Sequence, residues 1–328
     1  MKNSIVLLIC ALFLFSCEND NGNSGKGGTT KPAEVLVNSA IKVPDFSADT
    51  AYELIAKQLD FGPRVPNTSG HIECANWIIK KLESYGAKVE VQPAQVTSWD
   101  GTVLNIQNII GSYRPDRAKR IMLSAHWDTR PVADQDDNEE FHDTPIPGAN
   151  DGGSGVAVLL EIARQIGMDS TLNVGVDLFF WDAEDGGKGS IPDSYCLGSQ
   201  YWAKNPHKKN YRPVYGINLD MVGGIGARFK KEGQSISYAP RVVKRVWNTG
   251  AQLGYSSYFS TLTTDGIIDD HLYINRIAGI PMIDIIDSQP GVSFFEHWHT
   301  MQDNMDAISK ESLKATGHTV LTVIYNDQ

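Results

Sequence analysis

The chain has 328 residues, 41% of them hydrophobic, 21% charged and 9% aromatic, a globular composition that excludes wholesale disorder, a collagen-like repeat and a coiled coil. Lys and Arg number 29 against 39 Asp and Glu, a formal charge of −10, and no basic run appears, so nucleic acid is excluded as the expected partner. The length allows one large domain or two small ones, either able to bury a sizeable core.

Lys2 precedes an apolar run from Ile5 to Phe15 that closes on Leu14-Phe15-Ser16-Cys17. A charged start, a short apolar core and a small residue before the cut describe a secretory signal over residues 1–16, too short to span a bilayer comfortably. The Leu-Phe-Ser-Cys ending resembles a bacterial lipobox, which implies lipidation of Cys17 and an exported bacterial lipoprotein at the outer membrane, in the periplasm or on the cell surface. Residues 18–32 are rich in Gly, Asn, Ser and Thr, with charged residues and almost nothing apolar, so 17–40 reads as the lipidated cysteine and a flexible tether. The remainder, 41–328, is then one soluble domain whose membrane contact is the lipid anchor. With Cys10 cleaved away and Cys17 acylated, Cys74 and Cys196 remain; two cysteines make no disulfide framework.

Along the body, Ile72, Ala75, Ile78, Ile79 and Leu82 recur at helical spacing from Ser69, and Gly86 stops the pattern. Two β-rich stretches follow, 88–98 and 103–110, and then the apolar run Ile121 to Ala125, ending at His126. Gly152 to Gly155 opens a second helix carried by Val156, Leu159, Leu160, Ala163 and Ile166. Strands are expected over 174–180, 215–219 and 280–286, and a terminal helix over 309–325. Strands alternating with helices predict an α/β fold whose sheet is covered on both faces. Three of these strands run into an acid or histidine just past the last apolar residue, and that carboxyl edge is where open α/β sheets bind ligands.

The residues at these edges are His126-Trp127-Asp128, Asp151 in Gly148-Ala149-Asn150-Asp151-Gly152-Gly153, the pair Glu184-Asp185, Asp220, Asp269-Asp270-His271 in an expected loop, and His299. Singly each has an ordinary explanation: Asp151 a helix cap, the acid pairs solvated turns, His299 a satisfied core imidazole. Jointly these explanations fail, because several carboxylates at one sheet edge repel unless a proton or a cation neutralises them. Oxygen ligands with imidazole suit zinc, and three protein ligands with an open position describe a catalytic site. No clustered Cys set, no HEXXH helix and no GXSXG elbow is present, which sets aside a structural zinc knot, a zincin and a serine hydrolase.

The strings H-W-D, D-G-G-S-G, the acid pair, N-L-D-M and the late H-T resemble the α/β zinc aminopeptidase superfamily. Phe61-Gly62-Pro63-Arg64-Val65-Pro66, Phe179 to Asp185, Ile267-Ile268-Asp269-Asp270-His271 and Trp298-His299-Thr300-Met301-Gln302-Asp303-Asn304 are similar to one branch, the glutaminyl cyclases of animal type and their bacterial relatives, over roughly residues 50–325. The resemblance implies a single-domain α/β/α sandwich with a mixed, mostly parallel central sheet of the zinc exopeptidase kind. It implies one zinc ion per chain on Asp151, Asp185 and His299, and Glu184 as general acid and base. It gives Asp220 and Asp269 a shared hydrogen-bond network beside the substrate amide, and Ile267, Phe294 and Trp298 the walls of a glutamine pocket. The reaction implied is cyclisation of N-terminal glutamine in peptides and proteins to pyroglutamate with release of ammonia; separately, the chain is expected to be a monomer.

Three departures stand out. Asp185 stands where animal cyclases have Glu, and Ile268 replaces a polar residue. The glycine-rich Gly186 to Ile191 lacks a tryptophan of the animal pocket, so a tryptophan from elsewhere is expected to complete the wall. The competing reading is a two-zinc aminopeptidase that trims N-terminal residues, with His126 and Asp220 on the second metal; a domain kept only for binding is weaker, since such relatives lose ligands.

Overall fold

Strands that are apolar at every position, rather than at every second one, belong in the middle of a sheet with both faces covered. The computed structural model, which describes residues 42–288 and 294–327, carries this out; Cys17 and the expected signal and tether lie outside the described residues. The chain begins with α1 (Ala48–Leu59), α2 (Ser69–Ser84), β1 (Lys88–Thr97), β2 (Val103–Tyr113) and β3 (Arg120–His126). Next come α3 (Ser154–Met168), β4 (Gly175–Trp181), α4 (Leu197–Lys204), β5 (Tyr215–Asp220), β6 (Phe229–Lys231) and α5 (Gly233–Tyr238). The last stretch holds α6 (Pro240–Gln252), β7 (Phe259–Thr263), α7 (Asp270–Tyr273), β8 (Met282–Ile286) and α8 (Lys310–Tyr325).

Six strands form one sheet in the order β1-β2-β4-β3-β5-β8, while β6 and β7 pair separately. The pairs β1/β2 and β2/β4 are antiparallel, and β4/β3, β3/β5 and β5/β8 are parallel. The expected mixed, mostly parallel α/β sheet is therefore present. Successive residues along its central strands feed two different cores. Ile121, Leu123, Val176, Leu178 and Phe180 pack with α1, α2, α3, α6 and α8 on one face. Met122, Phe179, Trp181 and Met282 pack with Trp202 of α4 and with Tyr211 on the other. Ile41–Gln328 forms one compact unit.

Local signals set the element ends. Thr68 caps α2 by accepting from the His71 amide at 3.3 Å, and Gly86 closes it in the left-handed region at φ +82°. The turn into α3 needs glycine twice: a Cβ on Gly152, at φ +81°, would lie 2.3 Å from the Asp128 carbonyl oxygen, and one on Gly155 2.3 Å from that of Leu219. These contacts press the Asn150–Asp151 turn against the ends of β3 and β5. Three points differ from expectation. The strand from 103 runs on to Tyr113, paired with Val176. The Asp269-Asp270-His271 segment is no loop: Asp269 caps α7 through the Asp270 amide. Helices α1, α4 and α6 fill stretches left unassigned by periodicity.

Candidate active site

The carboxyl ends of β3, β4 and β5 lie side by side, with His126 opposite Trp181 in the β3/β4 ladder. Two short turns that leave the sheet here, and the segment that carries His299, place non-glycine residues in the left-handed region: Ala183 at φ +51°, Met221 at φ +48° and His299 at φ +58°. Each such residue costs on the order of 1–3 kcal/mol, and such strain clusters where side chains must be aimed. Ala183 precedes Glu184 and Asp185, and Met221 follows Asp220.

Asp151, Asp185 and His299 converge. Their nearest donor atoms all lie within 4.8 Å of one another, with His299 Nε2 at 3.0 Å from Asp185 Oδ1 and 3.8 Å from Asp151 Oδ2. All three residues are buried, and Asp185 Oδ2 has no hydrogen-bond partner. Asp151 does not cap α3, whose N-terminus has no side-chain cap. Two carboxylates and an imidazole around one point, one carboxylate oxygen buried without a partner, fit a zinc ion with room for a further ligand. His126 Nε2 lies 3.0 Å from the other oxygen of Asp151 and 3.2 Å from Asp220 Oδ1, so a second donor set shares Asp151 with the first.

Glu184 sits beside both sets. The Cys196 thiol donates to its Oε1 at 3.1 Å. Burial, with the charges of Asp185, Asp269 and Asp270, pushes its carboxyl well above the ordinary range, although His126 pulls the other way. Burial likewise raises Asp220 to about 7, aided by Asp269 and Asp151 and opposed by its bond to His126. Asp269 Oδ2 accepts from Asn218 Nδ2 at 2.8 Å, and Asn218 reaches Asp284 at 3.3 Å. The Asn218 bonds thus tie Asp269 into the sheet interior, while Asp220 bonds His126 instead. Cys74 and Cys196 are both buried free thiols.

Asp151, Glu184, Asp185, Asp220, Asp269 and His299 line one cavity of about 530 Å³, a size suited to a small ligand. Ile267, Phe294 and Trp298 form part of its wall; the Phe294 and Trp298 rings meet at 5.0 Å, and Trp298 stacks on His299 at 3.7 Å. The expected extra tryptophan is absent: among the described residues Trp298 is the single tryptophan lining the cavity. Ile191 and Tyr195, from the glycine-rich segment and the turn after it, line that side instead. Trp99 lies outside, donating to the Gly186 carbonyl at 3.1 Å.

Several residues that aim the site were not assigned roles from sequence. Asp128 accepts the Glu184 and Asp185 amides at 3.0 and 3.2 Å. Asp303 accepts the Asn150 and Asp151 amides at 2.7 and 3.0 Å, and Arg64 donates to the Pro147 and Gly148 carbonyls at 2.6 Å each. Arg64, Asp128 and Asp303 stand inside the strings quoted above; Arg130 and Asp134 carried no signal, because beyond each other their partners are main-chain atoms and a distant ring.

Residues 108–324 match peptidase family M28. The Bacteroides thetaiotaomicron glutaminyl cyclase, whose structure holds N-acetylhistamine, is 51% identical at a TM-score of 0.85, covering 88% of this chain and 100% of its own. A Zn-dependent exopeptidase of Parabacteroides distasonis is also 51% identical at a TM-score of 0.85, covering 87% and 100%. Among curated relatives, the Bacillus subtilis aminopeptidase YwaD is 28% identical over 80% of this chain and 54% of its own length. The Gloydius blomhoffii glutaminyl-peptide cyclotransferase is 26% identical over 63% and 61%. The chain thus spans little more than half the length of these curated relatives.

Proposed function

The chain belongs to peptidase family M28, and from that premise we propose that it is a glutaminyl cyclase, converting the N-terminal glutamine of peptides and proteins to pyroglutamate with release of ammonia. The observation that carries this is a single cavity in which Glu184, the trio Asp151, Asp185 and His299, and the apolar wall of Ile267, Phe294 and Trp298 all meet. The glutaminyl cyclase of 51% identity supports it.

Asp151, Asp185 and His299 would hold one zinc ion per chain, which when bound supplies a Lewis acid for the γ-carboxamide oxygen. The rest of the chemistry belongs to the chain. The aromatic wall folds the glutamine side chain back on its own amine, and orientation alone accounts for a large share of such an intramolecular rate. The α-nitrogen forms a bond to the γ-carbonyl carbon, and the bond from that carbon to the side-chain nitrogen breaks. Glu184 takes the proton from the attacking nitrogen and returns it to the leaving one, so ammonia departs and the base is regenerated. A raised proton affinity suits both halves of that shuttle. Asp220 and Asp269, buried and acidic, face the substrate amine. The buried floor keeps bulk water from the carbonyl, where hydrolysis to glutamate would compete.

A second reading, a two-zinc aminopeptidase, is favoured by the second donor set of His126, Asp151 and Asp220. Incubation with a Gln-initiated and a Leu-initiated peptide, read by mass, separates the two. Loss of ammonia from the first alone supports the cyclase; loss of a residue from either, with two tightly held zinc ions per chain, overturns it. We also propose export as a lipoprotein, on the Leu14-Phe15-Ser16-Cys17 string; Cys17→Ala should move the protein from the membrane to the soluble fraction.

A further inference from the structure

We infer that Arg130 and Asp134 act as one positioning unit that holds His299 and Asp185 in register for the metal, an inference that rests on the zinc reading above. Arg130 is 5% exposed, and its donors are divided between two partners. Nε and Nη2 donate to the two oxygens of Asp134 at 2.7 and 2.8 Å, the planar fork that guanidinium and carboxylate share. Nη1 donates to the Asp185 carbonyl at 2.8 Å and the Gly187 carbonyl at 3.3 Å, and lies 3.7 Å from Asp185 Oδ1. The Asp134 oxygen bound to Nε faces His299 Nδ1 at 3.3 Å.

An imidazole that ligates through Nε2 must carry its proton on Nδ1, and an acceptor there fixes the tautomer and the ring plane and makes Nε2 a better donor. His299 Nδ1 makes no hydrogen bond as the ring stands; the Asp134 carboxylate, 3.3 Å away, is the acceptor within reach of it, while Trp298 stacks on the ring. The same loop grips the His299 backbone: the Gln135 amide donates to the His299 carbonyl at 3.2 Å, and Asp136 accepts the Met301 amide at 2.9 Å. Alone, the Asp134 carboxylate, 37% exposed, would turn to solvent; the Arg130 fork holds it, and Nη1 fixes the turn that carries Asp185. An ordinary Arg/Asp pair four residues apart lies on the surface and is worth about 0.5 kcal/mol. This one is anchored inward on a residue 55 positions away.

The test is zinc affinity of the metal-free protein, measured by competition with a chromogenic chelator, together with the visible spectrum of the cobalt-loaded form. Arg130→Lys, Asp134→Asn and Asp134→Ala are each expected to weaken zinc ~10–100-fold and to shift the cobalt bands, Asp134→Ala most. The thermal midpoint of the metal-free protein is expected to fall in Asp134→Ala, which leaves the buried Arg130 guanidinium without its carboxylate. The shift of the cobalt bands is therefore the readout that separates positioning from stability. Combining Arg130→Lys with Asp134→Ala should weaken zinc no further than the worse single variant, since the two act as one unit. Zinc affinity within about twofold of wild type in both Arg130→Lys and Asp134→Ala, or losses that multiply in the double variant, would overturn the inference. If Asp134→Ala does not fold, Asp134→Asn and Arg130→Lys carry the same comparison. Wild-type protein that takes up no zinc would instead sink the metal reading beneath it.

Discussion

The two ends of β4 bury carboxylates in opposite ways. Toward its start, Asp177 accepts from Arg120 at 2.5 and 2.6 Å, from Ser112 at 2.6 Å and from Tyr211 at 2.8 Å. Burial is the largest single influence and opposes its charge, yet the bonds from Arg120, Ser112 and Tyr211 and the Arg120 charge together outweigh it and keep the carboxyl below its ordinary range. Just past the other end, burial wins: Glu184 and Asp185 are both pushed up, and Asp185 Oδ2 is left without a partner. Burial of an acid is therefore not what marks the site, since Asp177 and Asp185 are equally hidden. The mark is charge that the protein leaves unmatched, and a cation is the economical way to match it.

The largest effect expected of that contrast is on the metal. His299→Ala or Asp185→Ala should abolish tight zinc binding and lower kcat/KM on a Gln-initiated peptide by on the order of 10³-fold or more. Zinc retained at wild-type stoichiometry would break the comparison at its active end. Glu184→Gln sharpens it: zinc content should be unchanged while ammonia release falls ~10²–10⁴-fold, and near-wild-type turnover would remove Glu184 from its assigned role. At the quiet end, Arg120→Ala strands the Asp177 carboxylate in the interior and should cost ~3–5 kcal/mol in chemical denaturation. Activity per folded molecule should not change; a parallel loss of zinc would mean that the two ends are not independent.

Glu232 tests the intermediate case, a buried acid near the site but matched as Asp177 is. It bonds His271 Nε2 at 3.1 Å and caps α5 through the Gln234 and Ser235 amides. Burial would raise its carboxyl, but the bond and charge of His271 and the bonds from Ser235 lower it to about 2. A depressed acid stabilises the fold above its unfolded value and loses that contribution as pH falls through the folded one. Glu232→Gln should thus cost on the order of 2 kcal/mol at pH 7. The gap from wild type should close between roughly pH 4.5 and 2, and a gap constant across that window would contradict the assignment.

How far the molecule was legible from its residues varied by element. The central strands and the helices at 69–84, 154–168 and 310–325 followed from apolar runs and helical spacing, because burial writes itself into side-chain type. Helix α6 has the same signature in Val242, Val243, Val246 and Trp247 and went unread among its many polar neighbours. Asp269 looked like a loop acid because an acid before an acid is common in turns, whereas here it caps a helical turn. The glycine-rich segment gave no hint that Ile191 and Tyr195 would stand where a tryptophan was expected, since wall positions depend on which way a turn bends.

The order of residue types along the chain determined the α/β class, the strand ends where the acids gather, and which side chains had the chemistry to bind a metal or move a proton. Those are local properties, fixed by hydrophobicity, glycine and the donor atoms each residue carries. Only the tertiary structure decided that Asp151, Asp185 and His299 meet, that Asp151 is shared with His126 and Asp220, and that Arg130, Asp128 and Asp303 aim them. Those contacts join residues far apart in sequence, and many run through backbone amides and carbonyls. Every residue but proline offers both groups alike, so composition and spacing carry no record of which one a distant side chain will hold.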